Sequence, residues 1–337
     1  MTDNSGKRIH IVDMTLRDGS HAVSHQFTAE QYADIAGGLD DAGVDYIEIS
    51  HGDGLAGGSF NYGWARLTDE EMLKAASPRI KRAKLTVLLI PGIGTREDLA
   101  MAADNGTRCV RVATHVTEAD IGEQHIGMAK KLGMEAVGFL MMIHMAPPEK
   151  VVEQAKLFES YGADWINLAD SAGAMVPGQV RATVGAVVEA VKLPVGFHAH
   201  HNLTLATANS MAALEVGATY LDACCRGLGG GAGNTPTEAL VAVLDKLGYQ
   251  HGVDLYKIMD VAEDTVGPAM HRPQELRKAP LMLGYAGVYS SFLLHTYRAA
   301  EKFGLDPRDI LVELGRRRMV GGQEDMIIDV AYQLAHK

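Results

Sequence analysis

The 337-residue sequence lacks the features of an exported or membrane-spanning protein. It has three cysteines, and two of them, Cys224 and Cys225, are sequence neighbours, which is a poor arrangement for a disulfide. We therefore expect Cys109 and this pair to be reduced, buried thiols in a cytoplasmic protein. No stretch approaches 18 uninterrupted apolar residues, so we expect no transmembrane helix. The polar start, Met1 to Arg8, has no apolar segment of the kind found in signal peptides.

Positive charge is also scarce. The sequence has 31 Lys and Arg against 42 Asp and Glu, and its formal net charge is −11. This balance argues against a protein that binds nucleic acid or an anionic membrane. The 47% of apolar residues excludes a disordered chain, and the length allows a full-sized core. The composition therefore predicts a soluble globular protein.

One pattern recurs over roughly residues 9–247: a helical stretch, a glycine and a short β-prone apolar run. The glycine fits the end of a helix, where a positive φ is needed before the chain enters a strand. Two further junctions, at 82–91 and 191–200, lack the glycine, and an opening strand runs from Ile9 to Met14. The total is eight strands. The five glycines of the pattern are Gly43, Gly106, Gly133, Gly162 and Gly217.

Eight similar units in about 240 residues predict an α/β fold, a (β/α)8 TIM barrel. An open doubly wound sheet is the alternative, but no G-x-G-x-x-G motif follows the first strand. Beyond Asp254 the pattern is helical, and Asp306 followed by proline predicts the start of one helix. We therefore expect a catalytic barrel over 1–250 and a helical extension over 251–337. The extension should pack on the barrel and on a partner subunit.

The site of such a barrel lies at the carboxyl ends of its strands. His198 and His200 are one residue apart, so both side chains point to the same face of the seventh strand. Asp18, just after the first strand, should reach the same mouth. Two imidazoles and one carboxylate are a suitable ligand set for a divalent metal. A pair of hydrogen-bonded surface histidines is the alternative interpretation of the two imidazoles.

Arg17 precedes the aspartate of this candidate site. It could form a simple ion pair, or it could stabilise an oxygen that becomes negative during a reaction. His21 could be a metal ligand, a surface residue or a general base. Asn234, at the end of a glycine-rich loop, is a possible additional oxygen ligand.

Four motifs together resemble the metal-dependent pyruvate aldolases of the 4-hydroxy-2-oxovalerate aldolase family, within the hydroxymethylglutaryl-CoA lyase-like barrel superfamily. The likeness covers nearly the whole chain. Relatives outside this branch tend to have a glutamate or glutamine after Arg-Asp-Gly, whereas Ser20 and His21 stand here. The four motifs are TLRDGSH (15–21), ADSAGA (169–174), GFHAHHN (196–202) and GLGGGAGN (227–234).

The resemblance implies a role for each of these residues. Asp18, His198 and His200 would hold the metal, which would be Mn²⁺ or else Co²⁺ or Mg²⁺, with no organic cofactor. Arg17 would stabilise the pyruvate enolate, and His21 would be the catalytic base. The implied substrate contacts are made by Arg17, Asp18, Ser171, His198 and Tyr289.

The implied reaction is a retro-aldol cleavage in the meta-cleavage degradation of aromatic compounds. It would convert 4-hydroxy-2-oxopentanoate or 4-hydroxy-2-oxohexanoate into pyruvate and acetaldehyde or propionaldehyde. Leu88 and Ile90 resemble the wall that the aldehyde end packs against. The implied partner is an acylating acetaldehyde dehydrogenase that receives the aldehyde through the protein. A homo-oligomer interface is the alternative for the extension.

The sequence disfavours four alternatives to this function. A biotin-dependent carboxyltransferase would need a modified lysine at the mouth, and no predicted strand ends in a lysine. The same observation argues against an aldolase that forms a Schiff base. A Claisen-type acyl-CoA synthase is disfavoured by Ser20 and His21. A non-catalytic scaffold would have no reason to keep the candidate metal ligands.

Overall fold

The computed structural model describes residues 7–336 of the chain. Residues 1–6 and Lys337 lie outside the described residues. The expectation that the polar start is not a signal peptide concerns mainly residues 1–6 and so falls outside them as well. Between residues 7 and 336, eight parallel strands close into a barrel in chain order, and helices alternate with them. The predicted (β/α)8 barrel with a C-terminal helical part is therefore confirmed. No helix in this range is long and apolar enough to cross a membrane.

The eight strands are β1 (His10–Asp13), β2 (Tyr46–Glu48), β3 (Lys84–Leu89), β4 (Cys109–His115), β5 (Glu135–Met141), β6 (Trp165–Asp170), β7 (Val195–Ala199) and β8 (Tyr220–Ala223). The barrel helices are α1 (Ala29–Ala42), α2 (Asp69–Ala76), α3 (Arg96–Asp104), α4 (Glu123–Lys131), α5 (Pro148–Ser160), α6 (Pro177–Ala190), α7 (Ala206–Glu215) and α8 (Thr237–Leu247). The later helices are α9 (Leu255–Asp260), α10 (Gly267–Ala269), α11 (Lys278–Ala286), α12 (Phe292–Phe303), α13 (Pro307–Arg316) and α14 (Met326–Ala335), with a π-helical turn over Val261–Val266.

The predicted junction glycine is required at the end of α1. Gly43 has φ 97°, and a Cβ added there would lie 2.5 Å from the carbonyl oxygen of Gly252. Any other residue would therefore be both strained and in collision. The other four glycines of the pattern also have positive φ: Gly106, Gly133, Gly162 and Gly217.

Buried apolar side chains form two large clusters. One fills the space between the strands and the outer helices, and it includes side chains from Val253 to Ala269. The other lies within α11 to α14 and runs from Ala279 to Ala331. In this second cluster, α13 begins where the sequence predicts, because the Asp306 carboxylate accepts a hydrogen bond from the backbone N–H of Arg308. The C-terminal helices therefore have a core of their own.

The C-terminal helices sit over the carboxyl ends of the strands. Gln274 donates hydrogen bonds to the carbonyl oxygens of Gly229 (3.2 Å) and Gly231 (3.0 Å) in the loop after β8. Gly284 approaches the barrel so closely that an added Cβ would lie 2.9 Å from the carbonyl oxygen of Gly173. Only glycine fits there without a shift of backbone. The extension therefore forms one side of the mouth of the barrel.

Candidate active site

Three buried side chains converge at the mouth of the barrel. One ligand atom from each of Asp18, His198 and His200 lies within 4.8 Å of the other two. Asp18 opens a short 3-10 helix just after β1, His198 lies in β7, and His200 follows it by two residues. Barrel closure explains the meeting, since β8 pairs with both β1 and β7. The structure thus brings together the three residues expected to bind metal.

The surroundings of the three side chains suit metal binding. Burial alone would raise the pKa of Asp18, but the charge of the adjacent Arg17 outweighs it and holds this pKa well below its usual range. Burial lowers the pKa of His200 to about 4, so its imidazole is neutral. His198 Nδ1 lies 3.0 Å from Oδ2 of Asp222, which leaves Nε2 for a ligand.

A network of buried ions surrounds this cluster. Arg17 contacts Glu48 at 2.6 Å and Asp18 at 2.8 Å. Arg111 contacts Glu48 and Asp222, each at 2.6 Å. Burial would raise the pKa values of Glu48 and Asp222, but the guanidinium groups lower both. Three carboxylates therefore face two guanidinium groups, which leaves one buried negative charge without a counterion.

A second observation also indicates that the site suits a divalent cation. Asn234 donates a hydrogen bond from Nδ2 to Asp18 Oδ1 (2.8 Å), while its own buried Oδ1 has no hydrogen-bond partner among the described residues. An unpaired carbonyl oxygen is costly to bury, and oxygen ligands suit Mn²⁺ and Mg²⁺. Mixed nitrogen and oxygen donors, together with the excess negative charge, are what a divalent ion requires.

Arg111 is the residue whose loss should harm the buried network most. We expect Arg111→Leu to lower the free energy of unfolding by about 3–5 kcal/mol, because Glu48 and Asp222 would both lose a buried counterion. Denaturant titration measures this change. The control is Arg108→Leu, an exposed arginine just before the same strand, which should change the stability by less than about 0.5 kcal/mol. Equal losses in the two variants would contradict the network.

A second group of imidazoles lies beside the first. His21 Nε2 is 3.9 Å from Asp53 Oδ2, and His25, whose Nδ1 lies 2.8 Å from the Ser20 hydroxyl, stacks on His51 with the ring centroids 3.9 Å apart. Burial lowers the pKa of His25 to about 2 and that of His51 to about 4, so both rings are neutral. His21, with 26% of its side chain exposed, borders a cavity, which is a suitable place for a base.

Ser171 and Tyr289 approach the mouth from different elements. Ser171 is buried after β6, and its hydroxyl accepts a hydrogen bond from the backbone N–H of Met142 (3.1 Å). Tyr289 comes from the extension, between α11 and α12. Burial raises its pKa, and the charges of Asp53 and Asp18 raise it further. Its proton is therefore retained, and the hydroxyl is available as a hydrogen-bond donor.

The two residues predicted to form the apolar wall belong to a small apolar cluster inside the barrel. Leu88 is buried with Phe139, and Ile90 is partly buried against them. Ile90 also borders a cavity that Tyr289 lines. His201, which the sequence leaves without a role, lies to the side, where its backbone N–H donates to Gly233 O (2.7 Å).

Arg111, Asp222 and Asp53 are site residues that the sequence reasoning missed. Arg111 and Asp222 lie within strands and are completely or almost completely buried. A charged residue inside an otherwise apolar strand was the available signal, because such a residue needs a buried partner. Asp53 gave no signal, since it follows β2 in an irregular loop that only the fold brings near His21.

Comparisons with known proteins identify the family. Residues 8–265 match the HMGL-like family model, and residues 274–336 match the model of the DmpG-like communication domain. The chain is thus an HMGL-like barrel that carries a communication domain. A 4-hydroxy-2-oxovalerate aldolase of Moorella thermoacetica is 82% identical over 333 residues, which cover 99% of this chain and 98% of that protein. One of Geobacillus stearothermophilus is 59% identical over 98% of this chain and 96% of that protein.

The chain belongs to the 4-hydroxy-2-oxovalerate aldolase family, a family of carbon–carbon lyases, and the resemblance inferred from the motifs is confirmed. Among solved structures, the Bacillus subtilis HMG-CoA lyase matches with a TM-score of 0.69 and 21% identity, over 83% of this chain and 98% of that one. The carboxyl transferase domain of Rhizobium etli pyruvate carboxylase matches with a TM-score of 0.81 and 17% identity, over 99% of this chain and 61% of that one. These two likenesses show the fold alone.

Proposed function

We propose that the chain catalyses the divalent-metal-dependent retro-aldol cleavage of 4-hydroxy-2-oxopentanoate, or of its six-carbon homologue, to pyruvate and an aldehyde. The observation that carries the proposal is the cluster of Asp18, His198 and His200 beside Arg17. High identity to relatives named 4-hydroxy-2-oxovalerate aldolase supports the substrate. The reaction would belong to the meta-cleavage degradation of aromatic compounds.

The three ligands would hold Mn²⁺, with Co²⁺ or Mg²⁺ as substitutes, since mixed nitrogen and oxygen ligands suit several ions. When bound, the metal supplies Lewis-acid polarisation of the 2-oxo group, so that the electrons released by cleavage of C3–C4 are accepted there. The excess negative charge of the buried network would be neutralised at the same time. Asn234 would hold Asp18 in position through its 2.8 Å hydrogen bond.

Arg17 would stabilise the enolate oxygen that forms during cleavage. Its guanidinium is fixed by Glu48 and Asp18, so no reorganisation is needed when negative charge develops nearby. Ser171 and Tyr289 would contact the bound 2-oxo acid. The protonated hydroxyl of Tyr289 would donate a hydrogen bond to it.

His21 would remove the proton from the C4 hydroxyl. The aldehyde then forms and leaves, and a proton added at C3 converts the enolate to pyruvate. Asp53, whose Oδ2 lies 3.9 Å from His21 Nε2, would help to orient the imidazole. A Schiff-base route has no amine nearby, because no lysine is among the described residues that line the two cavities at the mouth.

An acylating acetaldehyde dehydrogenase is the proposed partner, and aldehyde would pass to it through the protein. The communication domain at 274–336 supports this, as do exposed apolar side chains on the extension such as Tyr285 (73% exposed) and Tyr332 (55%). The aldehyde path would be the apolar cavity of about 300 Å³ that Ile90 and Tyr289 line. We propose a cytoplasmic location, which the three free, buried cysteines support.

The wall formed by Leu88 and Ile90 would limit the length of the aldehyde. We expect Ile90→Phe or Leu88→Phe to lower kcat/KM for the six-carbon substrate by roughly tenfold or more relative to the five-carbon one, because one methylene in an apolar pocket is worth about 1–3 kcal/mol. Steady-state assays with both substrates measure the ratio. Leu132→Phe, at an exposed position, is the matched control. An unchanged ratio in both wall variants would place the wall elsewhere.

The proposed function is tested by identifying the products. Purified protein is incubated with 4-hydroxy-2-oxopentanoate and Mn²⁺, pyruvate is measured with lactate dehydrogenase and NADH, and acetaldehyde is measured separately. Equal amounts of the two products are expected. Consumption of pyruvate only in the presence of acetyl-CoA or a carboxylated biotin would instead indicate a Claisen synthase or a carboxyltransferase.

A further inference from the structure

Two cavities open beside the candidate active site, with volumes of about 400 and 300 Å³. They share two lining residues, Asp53 and Tyr62. His21 lines the larger one and Tyr289 the smaller one. The candidate active site therefore has two neighbouring cavities, and the residues that line them differ in charge and polarity.

The larger cavity has a basic rim. Arg272 and Arg277 line it, and both are exposed in the segment that precedes α11. Arg277 lies 3.8 Å from Glu275, while Arg272 forms no ion pair with any described residue. Asp53 is the single carboxylate on the described lining, and burial raises its pKa. Guanidinium groups therefore dominate the charge at this opening.

The segment that carries these arginines is held in place. Gln274, between them, donates to the carbonyl oxygens of Gly229 and Gly231 in the loop that also reaches Asp18. An added Cβ at Gly229 would lie 3.0 Å from Asp18 Oδ1, which shows how close this loop is to the candidate metal ligands. The segment with the two arginines is thus fixed to the loop that contacts the candidate metal ligand Asp18.

The smaller cavity has the opposite character. Its described lining is mostly apolar, with Ile90, Ile93 and Met141 among its side chains, and it contains no lysine or arginine. Glu118 is a carboxylate on the same lining. An anion would be repelled there, whereas a neutral apolar aldehyde would not.

We propose that Arg272 and Arg277 form a port for carboxylate anions, through which the 4-hydroxy-2-oxo acid enters and pyruvate leaves, separate from the apolar cavity that takes the aldehyde. This inference rests on the proposed function. Exposed charges raise the local concentration of an oppositely charged ligand and its association rate, and salt suppresses the effect. The two arginines would therefore assist substrate binding before the chemical step, so that their loss would lower kcat/KM.

The test compares Arg272→Gln/Arg277→Gln with a control of equal charge, Arg96→Gln/Arg181→Gln, whose arginines are exposed on the outer helices of the barrel. At low ionic strength we expect kcat/KM for the 2-oxo acid to fall about tenfold in the port variant, and the deficit to shrink as salt is added. In the condensation direction, KM for pyruvate should rise while KM for the aldehyde stays the same. The control variant should have the same kcat/KM, salt dependence and KM values as the wild type.

Calorimetric titration with pyruvate separates this inference from the proposed function. Weaker pyruvate binding by the port variant supports the port even if the wild type fails to cleave the substrate, an outcome that would overturn only the proposed function. If the wild type cleaves the substrate and the port variant equals the control in kcat/KM, salt dependence and pyruvate affinity, the port is wrong. An equal rise of KM for pyruvate and aldehyde would also overturn it.

Discussion

Asp18→Asn should abolish turnover and weaken metal binding by more than the 10–100-fold that is typical for loss of an outer-shell partner. The reason is that an amide offers the metal no negative charge, and Asp18 is the one carboxylate of the three candidate ligands. The variant also leaves Arg17 with a single carboxylate partner, Glu48. Metal content after dialysis and the rate of pyruvate release measure the two effects.

The control for this variant is Asp41→Asn, at an exposed position in α1. It removes the same charge from the chain and should keep both metal and activity. His200→Ala should behave like Asp18→Asn, since it removes a second ligand of the same cluster. Full activity of either ligand variant after complete removal of metal would contradict the assigned site.

His21→Ala should lower the rate of cleavage by roughly 100- to 10,000-fold, the usual contribution of a general base. The side chain borders the larger cavity beside Asp53 and His25, and burial lowers the pKa of His25 to about 2, so that this neighbouring imidazole is a poor substitute for the base. Exchange of the methyl protons of pyruvate with solvent should be lost to a smaller extent, because this exchange needs enolate stabilisation and not removal of the C4 hydroxyl proton. Cleavage is measured by pyruvate release, and exchange by NMR in D₂O.

Arg17→Ala is the comparison that separates the two roles. It should reduce cleavage and exchange together, because the enolate forms in both reactions and Arg17 is the cation fixed beside the candidate metal ligands. Thermal unfolding of both variants checks that the barrel is intact. Equal loss of both reactions in both variants would mean that the base and the enolate stabiliser are not divided as proposed.

Much of the fold was predictable because each βα unit repeats the same local solution. A glycine such as Gly43 ends a helix, and an apolar run then forms a strand buried on both faces. The starts of helices were also predictable from short sequence motifs, as Asp306 followed by Pro307 shows at the beginning of α13. The placement of α11 to α14 over the mouth was harder to foresee, because it depends on close approaches such as that of Gly284 to Gly173.

The candidate ligands were predictable for a different reason. His198 and His200 share a face of one strand, and barrel closure brings Asp18 to them, so three positions followed from topology. The ionic network did not follow, because the pairing of Arg111 with Glu48 and Asp222 joins β4 to β2 and β8 across the barrel interior. Such contacts depend on strand register and on side-chain length, which single-sequence patterns do not contain.

Metal dependence of the reaction is tested most directly by pyruvate release from 4-hydroxy-2-oxopentanoate by metal-stripped protein, followed while Mn²⁺ is added back. We expect no turnover without metal and full turnover at about one ion per chain, because Asp18, His198 and His200 form one site. Undiminished turnover by protein that contains no metal would show that the reaction does not depend on a metal at this site.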